Sequence, residues 1–466
     1  MSVRTIAETI AAIATPPGAG GVGIVRVSGA DALPLLKQVF QPHRPPPFFS
    51  SHRLYYGSIL ARDKTVLDEV LAVYMRAPHS YTREDVVEFQ CHASPLVLQE
   101  LLEHLFTLGA RPAEPGEFSK RAFLSGRIDL SQAEAVIDLL EARTAKGAGL
   151  AAAQLQGTLA REIGGIRDAL IELMAKLEVA IDFPDEDADI FDRQEASQVL
   201  QQRVLAPIKM LIADADHGRI YREGVKLLIA GLPNAGKSSL LNALLREERA
   251  LVTPVAGTTR DTIEEGMSLG GIPVQLIDTA GIRFDHDDPV EALGVERARK
   301  MIESADCVLY LIDAQAGFTP KDQQLQNSLV HKRQILVLNK RDLISRDQEK
   351  SLRAQLGSAS HPLVSISARD GDGLADLQSA ILNLIAPQEQ GLGETARFAP
   401  NRRHRSLLSQ ALDACGLCLG SLAGEAPLDL LSVDVQSVLD CIGEISGHTS
   451  PDEVLDAVFS RFCIGK

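Results

Sequence analysis

Cysteine is scarce in this chain: six in 466 residues, spread from Cys91 to Cys463. So sparse a set makes no disulfide framework and fits a reducing compartment. Long apolar runs are also missing. No uninterrupted stretch approaches the roughly 20 residues that cross a bilayer, so no membrane association is expected. The N-terminus, MSVRTIAETIAAIATPPG, lacks the sustained apolar region of a secretory leader. A cytoplasmic location is the expectation. Positive charge is in deficit, with 47 Lys and Arg against 62 Asp and Glu, for a formal net charge of −15. That global field repels phosphate, so a nucleic-acid partner needs a local basic patch. The remaining composition, 45% hydrophobic and 23% charged, is that of a globular protein. The length predicts two to four domains.

The most informative stretch is Val225–Leu245, VKLLIAGLPNAGKSSLLNALL. It reads as an apolar strand, a glycine loop and a leucine-rich helix, with G-x-x-x-x-G-K-S from Gly231 to Ser238 across the join. Such a loop turns backbone N–H groups inward, at the positive end of a new helix, where phosphate oxygens bind. Asn234, Ala235, Gly236, Lys237, Ser238 and Ser239 are the candidate contacts. Lys237 is placed to reach the β- and γ-phosphates and Ser238 to hold Mg²⁺.

Four further elements follow in order. Gly257-Thr258-Thr259-Arg260-Asp261 offers a threonine for Mg²⁺. Asp278-Thr279-Ala280-Gly281 follows a strand; Asp278 suits a metal-bound water and the Gly281 N–H suits the γ-phosphate. Asn339-Lys340-Arg341-Asp342 ends another strand. The Asp342 carboxylate matches guanine's N1–H and 2-amino donors, which adenine lacks, so the expected nucleotide is GTP. Ser367-Ala368-Arg369 offers a backbone contact to guanine O6. The unit from about 223 to 386 thus resembles the translation-factor class of small GTPases. Ile282 stands where Ras-like enzymes carry a water-orienting glutamine. The work then falls to another residue in the polar stretch Arg283–Glu291, or hydrolysis is slow.

Strands are predicted at Ile24–Val27, Leu67–Tyr74 and Val86–Gln90, and a helix at Ser94–Leu108. Gly18 to Gly23 matches G-x-G-x-x-G but leads into a strand, so a tight loop is expected there and not a dinucleotide site. Residues 128–181 have helical periodicity, too long for one ordinary helix. The acidic run Asp182–Asp189 has D-x-D-x-D spacing, yet Ile190 and Ala196 stand where a calcium loop needs Gly and Glu. A helix is predicted at Arg193–Asp216. Strands Val274–Ile277, Cys307–Ile312, Ile335–Leu338 and Leu363–Ser365 alternate with helices, which implies a mainly parallel, doubly wound sheet, with Pro273 just ahead of the first. Gln388–Ala399 reads as a linker, and 401–466 as helical. Cys415 and Cys418 have redox or zinc spacing within a helical pattern, where buried structural thiols are expected. Arg397, Arg402, Arg403, His404 and Arg405 form the clearest basic cluster, a nucleic-acid contact or a solvated helix face.

ATPPGAGGVGIVRVSG, PGEFSKRAFLSGRIDLSQAEA, IDFPDED, GLPNAGKSSLLNAL, GTTRD and the terminal FCIGK together resemble the MnmE (TrmE) family of tRNA-modification GTPases, end to end. The resemblance implies a multidomain α/β plus α fold. It comprises an N-terminal α+β folate-binding and dimerisation domain (1–126), a discontinuous helical domain (127–222 and 388–466) and an inserted Ras-like G domain (223–387). It implies GTP hydrolysis activated when two G domains meet across K⁺, with Asn234, Thr253, Val255 and Thr258 at the K⁺ site and Ser238 and Thr259 on Mg²⁺. K⁺ then supplies charge where an arginine finger otherwise sits. Glu291 matches the catalytic glutamate, with Lys237 on the phosphates and Arg283 in support.

The resemblance also implies a site for 5-formyl- or 5,10-methylene-tetrahydrofolate at Arg26, Glu88, Arg127 and Lys466, with Cys463 close by. A carboxylate suits the pterin's donors and a guanidinium the glutamyl carboxylates. Arg127 stands where lysine is expected. The implied assembly is a homodimer that joins the FAD-dependent MnmG (GidA) in a heterotetramer and modifies C5 of wobble uridine U34 in tRNA. The rival reading is a regulatory or ribosome-assembly GTPase with no modification role.

Overall fold

The computed structural model describes residues 8–183, 191–247, 265–278, 302–356, 361–386 and 398–466. Packing divides the chain into two compact units. One comprises Met1–Ile137, Leu155–Arg203 and Asp413–Lys466; the other comprises Asp138–Gln154 and Val204–Leu412.

The first unit is built on a seven-stranded sheet: β1 (Ile10–Ile13), β2 (Gly20–Ser28), β3 (Phe40–Pro42), β4 (Arg53–Leu60), β5 (Val66–Met75), β6 (Val86–Ala93) and β7 (Arg111–Pro112), in the order β3-β4-β5-β6-β2-β1-β7. All neighbours are antiparallel except β1 and β7. Side chains alternate between the two faces. Val25, Val27, Val87, Phe89, Ala72 and Tyr74 pack with Leu35, Leu36, Leu98, Leu101 and Leu105 from the helices Ala32–Val39 and Pro95–Thr107. Each fully buried Val, Leu or Phe among them contributes about 1.5–3 kcal/mol. On the other face, Leu54, Val73, Glu88 and Arg26 stand in one row across four strands.

The glycine run differs from the predicted loop. β2 already begins at Gly20, with a register shift between Gly20 and Gly23. A Cβ on Gly23 would lie 2.6 Å from Leu98 Cδ1. Gly23 is needed because the helix Pro95–Thr107 packs directly on the strand there.

The helical run from 128 is broken into Leu130–Glu141, Ala145–Leu155 and Thr158–Asp182. The last break is at Gly157, whose φ of 81° favours glycine. Leu159, Ile163, Ile166, Leu170, Leu173 and Leu177 recur at three- and four-residue spacing and bury the last helix along Leu428–Ser446. The predicted helix at Arg193–Asp216 runs on to Glu223 through a π-helical segment, Leu200–Leu205. Pro207 follows at once; it has no N–H to donate, and the wider turn accommodates the missing bond.

The second unit holds a six-stranded sheet: β8 (Val225–Gly231), β9 (Glu265–Leu269), β10 (Ile272–Asp278), β11 (Cys307–Asp313), β12 (Arg333–Asn339) and β13 (Leu363–Ser365), in the order β13-β12-β11-β8-β10-β9. Every pair is parallel except β9 with β10. In β11, Cys307, Leu309 and Leu311 enter one core cluster, and Val308, Tyr310 and Ile312 enter another. Burial on both faces is why these strands read as continuous apolar runs. Pro273 lies inside β10 and not ahead of it. It is tolerated because the β8 ladder begins one residue later, at Val274 opposite Val225. By packing, this unit also takes in Leu150 and Tyr221, which share a core cluster with Leu227, Ile229 and Leu240.

Candidate functional site

In the parallel sheet β8 ends at Gly231, opposite Leu311, and β10 ends at Asp278, opposite Ile229. β11 and β12 end together at Asp313 and Asn339. The carboxyl ends of four adjacent strands thus deliver their loops to one edge, the usual binding side of such sheets. The helix Lys237–Glu247 starts there and brings its N-terminal N–H groups.

Backbone conformation explains the P-loop residues. Gly231 and Gly236 have φ of 152° and 95°, and Asn234 is left-handed at 65°. A Cβ on Gly231 would lie 2.5 Å from the Leu311 carbonyl oxygen, and one on Gly236 would strike the Asn339 amide. The Lys237 ammonium donates to the Gly231 and Leu232 carbonyls at 3.0 and 3.1 Å, so it arches back over the loop. Asn234, Ser238 and Ser239 are exposed. A bare backbone curl, a lysine across it and a helix start beneath it fit a polyphosphate with its divalent cation.

Asn339 joins two loops. Its Nδ2 donates to the Ala235 carbonyl at 2.8 Å, and its Oδ1 accepts from the Ala368 N–H at 3.0 Å. The Arg341 N–H donates to the Ile366 carbonyl at 3.1 Å. Ser367 Oγ donates to Asp370 at 3.1 Å and closes the turn after β13. Asp342 is exposed just beyond. The structure therefore brings Ala235, Gly236, Lys237, Asn339, Lys340, Ser367 and Ala368 together. Thr253, Val255, Thr258, Thr259, Gly281, Arg283 and Glu291 lie outside the described residues, as does the Asp278 side chain. One neighbour of these residues escaped the sequence reading. Asp313 holds the Lys340 ammonium at 2.6 Å; its signal is its place level with Asn339 in the β11–β12 ladder.

The second polar constellation is in the antiparallel unit. Arg26 on β2 and Glu88 on β6 are direct cross-strand partners, bonded Nε to Oε1 at 2.8 Å. Neither is on an edge strand, and both are largely shielded. Arg26 also donates to the Gly465 carbonyl at 3.1 Å, and its guanidinium lies 5.6 Å from the Phe118 ring centroid. A Cβ on Gly465 would strike the Ile13 carbonyl, so the terminal segment needs glycine there. Burial, then Arg26, push the Lys466 amine below the usual lysine range. The Tyr81 hydroxyl bonds Ser119 at 2.9 Å. Burial raises its pKa, while the Ser119 bond, Arg26 and Arg127 pull it down. Arg127 itself is exposed. Arg26 is thus the common neighbour: it is bonded to Glu88, it acts on the Lys466 amine, and with Arg127 it acts on Tyr81. Cys463 is exposed close to Lys466 in the chain.

The family model described as the MnmE helical domain matches residues 130–463, and the one described as the GTP-binding protein TrmE N-terminus matches residues 9–127. The tRNA modification GTPase MnmE of Desulfotalea psychrophila is 50% identical over 461 residues, covering 98% of this chain and 98% of its own. The chain belongs to the MnmE family. The Roseiflexus sp. MnmE is 45% identical over 468 residues, covering 98% of this chain and 99% of its own. A solved structure of Era in complex with MgGDPNP and a segment of 16S ribosomal RNA is 29% identical, covers 41% of this chain and 66% of that chain, and has a TM-score of 0.29. As a member of the MnmE family the chain is a GTPase of tRNA modification.

The other sequence features resolve structurally. Cys415 and Cys418 are buried, and burial pushes both thiols up to about 12. No group of three metal-ligating side chains occurs among the described residues. The basic cluster is partly consumed in ion pairs: Arg402 with Glu223 at 3.0 Å and Arg405 with Asp216 at 2.6 Å. His404 is buried, and Arg397 is outside the described residues. Among the described helices one, Arg402–Ala423, is long and apolar enough to cross a membrane. Leu408, Ala411, Cys415 and Cys418 bury its apolar stripe inside the protein.

Proposed function

We propose that this chain couples GTP hydrolysis to modification of the tRNA wobble uridine. With the FAD-dependent partner MnmG (GidA) it adds a carboxymethylaminomethyl or aminomethyl group at C5 of U34. The carrying observation is the shielded Arg26–Glu88 pair, bonded to the Gly465 carbonyl and with the Lys466 amine near Arg26. A regulatory or ribosome-assembly switch has no need of a second polar site in a unit of its own. The Arg26 guanidinium with the Lys466 amine near it supports a folate, whose glutamyl carboxylates offset their like charges. Glu88 accepts from the pterin's donors, and the bound folate supplies the one-carbon unit.

GTP binds at the P-loop, with guanine against Asn339, Lys340, Asp342, Ser367 and Ala368, and with Mg²⁺ held by Ser238 and Thr259. Asn234, Thr253, Val255 and Thr258 complete a K⁺ site when two G domains meet, and Glu291 orients water. The dimer forms through the open face of the antiparallel sheet. Leu54 and Tyr56 are each 51% exposed there, in the same cross-strand rows as Arg26 and its neighbours. The working location is the cytoplasm.

Analysis of wobble-uridine nucleosides in cells lacking this protein tests the reading. Loss of the C5 substituent is expected; an unchanged nucleoside profile refutes it. GTP turnover should be faster in K⁺ than in Na⁺, with the difference abolished by Asn234→Ala. Equal rates in the two salts refute the ion-bridged dimer.

A further inference from the structure

We infer that Asp313 is a positioning residue for guanine-nucleotide binding, acting through Lys340. Lys340 follows β12 in a left-handed conformation, φ 63°, between Asn339 and Arg341, whose bonds hold the loops of Ala235, Ile366 and Ala368. A lysine side chain has four rotatable bonds, and left alone it has no single place there. The Asp313 carboxylate gives it one. Its Oδ2 accepts from the Lys340 ammonium at 2.6 Å, with the two side chains only 20% and 29% exposed. Asp313 is itself fixed: its Oδ1 accepts from the Gln315 and Ala316 N–H groups at 2.9 and 3.4 Å. The Ala314 N–H donates to the Asn339 carbonyl at 2.9 Å, which ties the turn after β11 to the end of β12. Burial raises the Asp313 carboxyl, but Lys340 and the two N–H donors outweigh it and hold it ionised, below the usual aspartate range.

The division of labour follows. With its charge met by Asp313, Lys340 offers the nucleotide a fixed shape more than a free cation, and the phosphate charge falls to Lys237. Without Asp313, each binding event must order the Lys340 chain, and affinity drops.

This inference rests on Lys340 lining the guanine site, and a double-mutant cycle separates the two claims. Fluorescent GDP is titrated into the full-length chain, wild type and Asp313→Asn, each with and without Lys340→Met. Asparagine keeps the oxygen that accepts from Gln315 and Ala316, so the turn survives while the charge is lost. Asp313→Ser, which also keeps a turn-capping oxygen, replaces it if the asparagine variant does not fold. Asp313→Asn is expected to raise Kd about tenfold alone and less than twofold beside Lys340→Met. An unchanged Kd, or equal weakening in both backgrounds, overturns the inference. If Lys340→Met alone leaves Kd unchanged, the assignment of Lys340 to the guanine site fails and the inference falls with it.

Discussion

Replacing Asn339 with alanine tests the nucleotide site at its most concentrated point. The side chain is 2% exposed and makes two bonds, to the Ala235 carbonyl at 2.8 Å and from the Ala368 N–H at 3.0 Å. Both partners are backbone groups of buried residues. Alanine leaves each without its acceptor or donor, at about 1–3 kcal/mol per group, and so about 2–4 kcal/mol after relaxation. The P-loop and the Ser367–Ala368 loop then spend less time in mutual register, and affinity falls by the same fraction. A loss of about 2 kcal/mol corresponds to roughly thirtyfold in Kd. Asn339→Asp separates the two bonds. It still accepts from Ala368 but sets a carboxylate oxygen against the Ala235 carbonyl, so it should weaken binding at least as much. The assay is fluorescent-GDP titration, with thermal unfolding followed in parallel. A Kd within twofold of wild type for Asn339→Ala, with unchanged unfolding, refutes the argument that this amide staples the site.

Arg26→Ala and Glu88→Gln should each weaken tetrahydrofolate binding by about tenfold to a hundredfold, the worth of one charge-assisted bond; calorimetry with affinity unchanged in both would reject the site. Glu117 accepts from Arg111 at 2.7 Å and from Arg121 at 2.9 Å. Burial raises its carboxyl, but these partners and the Glu114 N–H outweigh it, so the folded-state pKa is lowered. Its stabilisation is therefore present above the unfolded glutamate value and lost as pH falls through the folded one. Acid unfolding of Glu117→Gln should be less steep as pH falls below the unfolded glutamate value, and an identical profile would contradict the sign. Of the six thiols, Cys463 is exposed, Cys441 is intermediate and the other four are buried. An aromatic disulfide reagent should therefore titrate one fast thiol in the native chain, and Cys463→Ser should remove that phase; rapid reaction of Cys415 or Cys418 would contradict their burial.

Much of the nucleotide site is local chemistry and so is legible in the chain. A strand, a glycine curl and a helix start are fixed by neighbours in sequence, which is why Gly231 to Ser238 reads so clearly. The same holds for the buried strands, whose apolar runs follow from a sheet covered on both faces. Pro273 and Gly23 are harder, because what tolerates or requires them is the partner strand or a helix packed across it.

Residue type and spacing determined the glycine curl of the P-loop, the expectation that Asp342 reads guanine, and the motifs of the family. Only tertiary structure decided that Asn339 reaches a carbonyl 104 positions away, that Arg26 meets Glu88 across a ladder and Gly465 across almost the whole chain, and that Asp313 restrains Lys340. The reason is that a hydrogen bond depends on where two atoms lie in space. Sequence reports that separation only for residues within a few positions of one another; for all others, register and packing set it.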